Sequence, residues 1–295
     1  MSKQTILIIG AAGNNGVATL EALARKQVAG NTDITIRVGV RSEAKAADLR
    51  AKFPNVETAI LDLDKPETLA AAYVGVDKLF LILGNVEQRE AHAKAAIDAA
   101  KASGSVKHVV FYSVVGAEYE AILFARQFRA GEKYLEASGL AWTHLRTIFF
   151  QENLVGWADG IKQGSFYFGI GEGRFAPLNV GDIGEIAANI LTTAGHENKA
   201  YNITGPELLS GNDFAQIFSK VTGKAVQYVS PDNATTLSSL TGSGWPEWQA
   251  KGLVELFNLF GDNLAAVVTP DGEQLLGRPL TTLEQYVSAN KAVFV

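Results

Sequence analysis

The chain has 295 residues, of which 47% are hydrophobic and 19% charged, with a net charge of −5. This is a globular composition, long enough for one large domain or two modest ones, and it has no block of like charge, which excludes electrostatic binding to nucleic acid or anionic membrane. The absence of cysteine excludes disulfides, thiolate metal sites and a cysteine nucleophile, and is compatible with a reducing compartment.

The first apolar run, Ile6 to Ile9, is too short for a signal peptide and runs into glycines. No stretch approaches the ~20 apolar residues that span a bilayer. The expectation is a soluble, cytoplasmic protein. "TILIIG" reads as a strand ending at Gly10, and "NGVATLEALARKQ" as a helix with Val17, Leu20, Leu23 and Ala24 at helical spacing. "DITIRVGV" is a second strand, "EAKAADLRAKF" a helix, "VETAILDL" a third strand, and "PETLAAAYV" a helix with Pro66 in its first turn. "DKLFLIL" is a fourth strand, "EQREAHAKAAIDAAKASG" a helix stopped by Gly104, and "KHVVFYSV" a fifth strand. "AILFARQFRAGEKYLEASG" is a helix and "AWTHLRTIFF" a sixth strand.

This alternation, with near-continuous apolar strands such as "KLFLIL", predicts an α/β fold. Its core is a Rossmann-type, doubly wound parallel sheet covered on both faces. After Phe150 the rhythm changes. "GSFYFGIGEGRFAPLNV" reads as loop and short strands, "GDIGEIAANILTTA" as helix, and "KAYNITG" as strand. "SGNDFAQIFSKVTG" is a helix capped by Ser210 or Asn212, "KAVQYV" is a short strand, and the remainder is helical and loopy. The expected division is a dinucleotide-binding domain over 1–150, completed by about 178–204. Residues 151–177 and 205–295 would form a smaller C-terminal α/β lobe covering the cofactor cleft.

Three glycines, Gly10, Gly13 and Gly16, follow the first strand and open the first helix. The first permits the tight turn, the second lets backbone approach a diphosphate, and the third lets helix pack against strand; phosphate then meets free N–H groups at the positive helix end. Ala11 and Ala12 separate the first two glycines, so the spacing departs from G-x-G-x-x-G and is the variant found in short-chain dehydrogenase relatives. At the end of the second strand, where an acidic residue would accept from a ribose 2′-hydroxyl, stands Arg41, with Lys45 one turn on. A guanidinium there suits a 2′-phosphate, which favours NADP(H) over NAD(H), although Glu43 is a nearby counter-charge. After the third strand, Asp62 reads equally as an acceptor from an adenine amino group, with Leu63 against the ring, and as a turn or cap residue before Pro66. After the fourth strand, Gly84 lets backbone run close to a cofactor, and Asn85 can cap or contact it.

With "GAAGNNG", "VRSEAKAADL", "LDLDKPETLAAAYVGVDKLFLI", "SGLAWTHLR" and "YNITGPELLS" in view, the chain resembles the NmrA-like family, atypical short-chain dehydrogenase/reductase relatives. The resemblance runs from Thr5 to the closing "GRPLTTLEQYV". It implies a Rossmann domain holding NADP(H) and a smaller lobe over the nicotinamide. By that resemblance Gly10, Ala12, Gly13, Asn14, Asn15 and Gly16 form the phosphate loop, Arg41 meets the 2′-phosphate, Asp62 and Leu63 the adenine, and Leu83 and Gly84 the central part. It also places Thr147, Phe149, Phe150 and Asn153, in "TIFFQEN", toward the nicotinamide.

Short-chain dehydrogenases typically pair Tyr-x-x-x-Lys, the lysine tuning the tyrosine as acid or base. Here Tyr112, Tyr119 and Tyr134 are followed four residues on by Gly116, Leu123 and Ser138, so the pair is missing. Ser113 stands where the usual serine would, and reads either as a weak catalytic or cofactor contact or as a strand-end residue bonded to backbone. His92, His108, His144 and His196 are scattered without metal-ligand spacing; His108 and His144 read as packing or strand-end residues. Phe149, Phe150, Phe166, Tyr167, Phe168 and Trp245 read as stacking surfaces or as core. The expected activity is hydride transfer from NADPH to a quinone-like or other planar acceptor, needing no metal. The alternative from another class is a catalytically silent NADP(H)-binding redox sensor acting through a regulatory protein partner. A homodimer stays open.

Overall fold

The computed structural model describes residues 3–30 and 33–295. In chain order its elements are β1 (Gln4–Ile9), α1 (Asn14–Val28), β2 (Ile34–Val40), α2 (Glu43–Lys52), β3 (Glu57–Ile60), α3 (Leu69–Ala72), β4 (Lys78–Leu81), α4 (Arg89–Ser103), β5 (His108–Val114), α5 (Leu123–Glu136) and β6 (Ala141–Thr147). There follow α6 (Ala158–Lys162), β7 (Ser165–Tyr167), β8 (Arg174–Phe175), α7 (Val180–Thr192), β9 (Lys199–Ile203), β10 (Leu209–Ser210), α8 (Gly211–Thr222), β11 (Gln227–Val229), α9 (Asn233–Gly242) and α10 (Glu247–Gly261). Three short helices end the chain: α11 (Asp271–Leu276), α12 (Leu283–Ala289) and α13 (Lys291–Phe294).

The chain divides into two compact units. One contains the chain up to Glu118, Arg126–Arg146 and Val180–Asn202; the other contains Tyr119–Ala125, Thr147–Asn179 and Ile203–Val295. The first is organised by a seven-stranded sheet of order β3-β2-β1-β4-β5-β6-β9. β1 pairs in parallel with β2 and β4, β2 with β3, and β4 with β5. Every residue of β4 is buried, as are Ile6–Ile9 of β1, because helices cover both faces. α7 packs directly on α1: a Cβ on Gly184 would lie 2.5 Å from the Ala18 carbonyl carbon. Only glycine permits that approach. The strand order reverses between β1 and β4, and in such sheets a ligand lies outside the carboxyl ends of the strands at the reversal.

The second unit is built on aromatic rings. Phe149 and Phe168 lie 5.6 Å apart, Phe166 and Phe214 5.7 Å, and Phe175 stacks on Phe260 at 4.2 Å. Two small sheets, β8 with β10 and β7 with β11, and the C-terminal helices surround them. Ser210, not Asn212, caps α8, in a capping box with Asp213; a second box joins Thr282 and Gln285 on α12.

The third and sixth strands are shorter than expected. β3 stops at Ile60 because Asp62 turns the chain, its side chain accepting from the Asp64 N–H at 3.2 Å. β6 stops at Thr147 because Phe149 turns into the aromatic core and Phe150 bridges to Leu178. Among the described residues, no helix is long and apolar enough to cross a membrane.

Candidate cofactor site

The β1–α1 turn lies at the sheet's reversal. Gly10 has φ +83°, and a Cβ there would meet the Ile82 carbonyl oxygen at 2.4 Å, just after β4. A Cβ on Gly16 would meet the Gly10 carbonyl oxygen at 2.4 Å. These two glycines are required by the protein's own packing. Gly13 is different: its φ is −82°, and a Cβ there would touch only the Gly10 oxygen at 3.5 Å. Its open face is space the fold does not need.

Gly13 donates its N–H to the Gly10 oxygen at 3.1 Å and caps α1 with no side chain. Asn14, Asn15 and Gly16 open the helix, where N–H groups have no carbonyl one turn back, and the first turn carries no acidic residue. The positive helix end is thus left for an outside anion. Asn15 Oδ1 is buried and has no hydrogen-bond partner, as expected of a group that a bound polar molecule would satisfy. Ala12, Gly13 and Asn14 are exposed. The exposed main chain and the uncapped helix end fit a dinucleotide diphosphate, whereas the Asn15 oxygen, an acceptor, would take a donor such as a hydroxyl.

Arg41 is exposed at the end of β2, and its charge helps hold the Asp64 carboxyl low, after the larger hydrogen bond and charge of His92. Lys45, also exposed, lies 3.6 Å from Asp48. Asp62 shows the turn role: besides Asp64 it lies 3.9 Å from Lys65. Leu63 is half-buried beside it. Leu83 is buried, and Gly84 and Asn85 are exposed, immediately after β4.

Ser113 has a side-chain partner that neither reading included. It is fully buried, and its hydroxyl donates to Glu132 Oε1 at 2.7 Å. Glu132 also receives Arg146 Nε and Nη2, each at 2.8 Å, and Arg129 Nη1 at 2.9 Å. Burial pushes the Glu132 carboxyl up, but the Arg146 hydrogen bond and its other partners outweigh it and hold the group below its ordinary value. Arg129 continues to Glu136, which accepts from His144 Nε2 at 3.0 Å. Burial lowers His144 against the pull of both glutamates, and its ring stacks on Trp142 at 4.3 Å. Glu132, Glu136 and His144 offer atoms within 4.8 Å of one another. The two guanidiniums already supply the positive charge a metal ion would bring.

His108 is also structural. Its Nε2 lies 2.8 Å from Thr143 Oγ1, and burial, with the charge of Lys78, lowers it to about 4.

The residues placed toward the nicotinamide, Thr147, Phe149, Phe150 and Asn153, belong to the second unit. Thr147 is buried and Asn153 exposed. The Phe149 ring is core: it lies 5.6–5.7 Å from Phe168 and Phe175 and within 6.4 Å of Phe257 and Phe260, leaving main chain as what it can offer a ligand. Phe166 and Phe168 are core as well, whereas Tyr167 and Trp245 are exposed.

Two features carried no sequence motif. One is the Glu132 network, of which only Arg129, Glu132 and Glu136 share a helical face by spacing. The other is Arg89, a cation at the first position of α4, where the helix end disfavours positive charge.

The model of the NmrA-like family matches residues 2–287. The chain belongs to the NmrA-like family. It is 34% identical over 291 residues to the NAD(P)H azoreductase of Xenophilus azovorans, a match covering 98% of this chain and 99% of the relative. The Escherichia coli NADPH-dependent quinone oxidoreductase, solved in complex with NADPH, superposes with a TM-score of 0.88 at 30% identity, covering 97% of this chain and 99% of that one. The Citrobacter sp. triphenylmethane reductase complexed with NADP(H) gives a TM-score of 0.87 at 27% identity, covering 96% and 99%.

Proposed function

We propose that the chain is an NADPH-dependent oxidoreductase acting on small planar electron acceptors such as quinones and azo or triphenylmethane dyes. The observation that carries this reading is the open face of Gly13 at the uncapped start of α1, with Arg41 at the end of the neighbouring strand. Full-length relatives named for reduction of such acceptors support it; they lend no weight to a silent sensor.

Bound nicotinamide supplies the hydride. The main chain of Gly10–Gly16 holds the diphosphate against the helix end, through the N–H groups of Asn14, Asn15 and Gly16. Arg41 forks onto the 2′-phosphate, and Lys45 adds charge to the same side. Leu63 offers an apolar face to the adenine. Ser113 stays bound to Glu132 and moves no proton. With no Tyr-x-x-x-Lys pair, proton delivery falls to water. A quinone or a cationic dye tolerates this, because gaining a hydride would leave it as a stabilised hydroquinone anion or a neutral product that needs no acid in the same step, whereas a simple ketone would become a strongly basic alkoxide.

The test is loss of reduced-nicotinamide absorbance with a panel of quinones, dyes and simple ketones, with Arg41→Ala as control. Turnover with quinones or dyes and not with ketones is expected. Arg41→Ala should weaken NADPH about tenfold or more while leaving NADH unchanged, the worth of one charge-assisted contact. Equal losses for both cofactors would overturn the 2′-phosphate assignment. Cofactor binding without turnover of any acceptor would overturn the activity.

A further inference from the structure

Arg89 is the largest fully buried side chain of the described residues, at 0% exposure, in the first turn of α4. The helix field disfavours a cation there. Its guanidinium points back at the connection that leaves β4. Nε donates to the Gly84 carbonyl oxygen at 3.2 Å and Nη2 donates to Asn85 Oδ1. Nη1 donates to Gln127 Oε1 on α5 at 2.6 Å, and Cζ lies over the Phe128 ring, 4.2 Å from its centroid. Gly84 and Asn85 themselves are exposed. The Gly84 oxygen also accepts the Val86 N–H at 3.1 Å, so a tight turn is held from beneath by the buried fork. This turn leaves the strand next to β1, on the carboxyl side of the sheet, across the reversal from the Gly10 turn.

We propose that Arg89 is a positioning residue for the bound nicotinamide cofactor. It locks the Gly84–Asn85 turn to α5, so that the turn presents one fixed main-chain surface to the half of the cofactor beyond the diphosphate. The proposal rests on the reading of the site as an NADPH site. Arg89 joins the turn to Gln127 and Phe128 of α5, and its effect reaches the cofactor through Gly84 and Asn85. Arg41 and the Gly10–Gly16 loop would hold the adenosine half on the other side of the reversal, where it would not depend on Arg89.

The split between the two halves is the test. Arg89→Met keeps the apolar stem over Phe128 and removes all the donors. Asn85→Ala removes one partner at an exposed position where the fold has little at stake. Each variant and the wild type are titrated with NADPH and with adenosine 2′,5′-bisphosphate, the fragment that reaches only the adenosine half. Arg89→Met should raise the NADPH Kd about tenfold, and Asn85→Ala a lesser amount in the same direction, while the fragment Kd stays within about twofold. If Arg89→Met does not fold, Asn85→Ala carries the comparison alone. Parallel losses for both ligands, or no loss for either, would overturn the proposal while leaving the NADPH site standing. A wild-type protein that binds neither ligand would overturn the site reading and the proposal together.

Discussion

Replacing Gly13 with valine separates what the fold needs from what a ligand needs. A Cβ at this position meets nothing closer than the Gly10 oxygen at 3.5 Å, an ordinary contact, and φ is −82°, open to any residue. The change also removes glycine from the N-cap, where Asn, Asp or Ser rank best and glycine is only fair, so the folding cost should be about 1 kcal/mol or less. The added methyls fill the space above the N–H groups of Asn14 and Asn15. A phosphate held off by them loses two charge-assisted hydrogen bonds, each worth about 1.5–3 kcal/mol, a combined loss of about 3–6 kcal/mol. NADPH affinity should then fall by a hundredfold or more, since about 1.4 kcal/mol is tenfold. The assay is a fluorescence titration with NADPH, paired with urea unfolding of the same sample. Gly16→Ala is the contrasting control, because its Cβ would lie 2.4 Å from the Gly10 oxygen and 2.5 Å from Ala11 Cα. It should damage stability first and binding as a consequence. A Gly13→Val protein that unfolds near the wild-type midpoint and binds NADPH with wild-type affinity would refute the loop assignment.

Two further outcomes concern the buried charges of the first unit. Glu132→Ala strips the shared acceptor from Ser113, Arg129 and Arg146, leaving Arg129 with Glu136 and Arg146 with Glu118, and should cost about 2–3 kcal/mol in denaturant unfolding, below the full cost of an uncompensated buried charge; a loss under about 1 kcal/mol would show that the network is not a fixed structural element. His108 titrates near 4 in the folded protein against an ordinary 6.5, because burial and Lys78 disfavour its charge, with Glu197 opposing and His196 adding to the effect. Between those two values the unfolded chain binds a proton that the folded chain does not. Stability is therefore full above about pH 6.5 and falls as pH drops toward 4, by up to about 3 kcal/mol from this group. His108→Gln should flatten that part of the profile, and identical slopes in the two proteins would reject the assignment.

The readability of this chain follows the range of the interactions involved. The strands β1, β2, β4 and β5 and the long helices announce themselves through periods of one or two turns, and Gly104 and Ser210 stop and start their helices with local chemistry alone. Part of the Gly10–Gly13–Gly16 turn was legible for the same reason: the positive φ of Gly10 and the approach of Gly16 to the Gly10 oxygen are backbone requirements written within seven residues, whereas the approach of Gly10 to Ile82 is not. What sequence reading could not reach is decided by partners far along the chain. The end of β6 depends on where the Phe149 ring finds Phe257 and Phe260, more than a hundred residues away, and no periodicity in "TIFF" carries that information. Ser113 was noticed by position, but its partner Glu132 lies on another element, and no local pattern announces that pairing.

Arg89 is the sharpest instance. In the sequence it is one of many charged residues in an Ala-rich helix, and the natural reading is a solvated face. In the fold it is the most deeply buried cation of the described residues, and burial lowers its guanidinium to about 10. A chain accepts such a desolvation cost only where the geometry gained cannot be had from an apolar side chain, because methionine would fill the same space over Phe128 at no electrostatic penalty. What methionine cannot do is reach a carbonyl, an amide oxygen and a second helix at once. That reach is what fixes the Gly84–Asn85 turn to α5. A turn whose shape is held this firmly while its own residues stay exposed is a surface prepared for something to lie against.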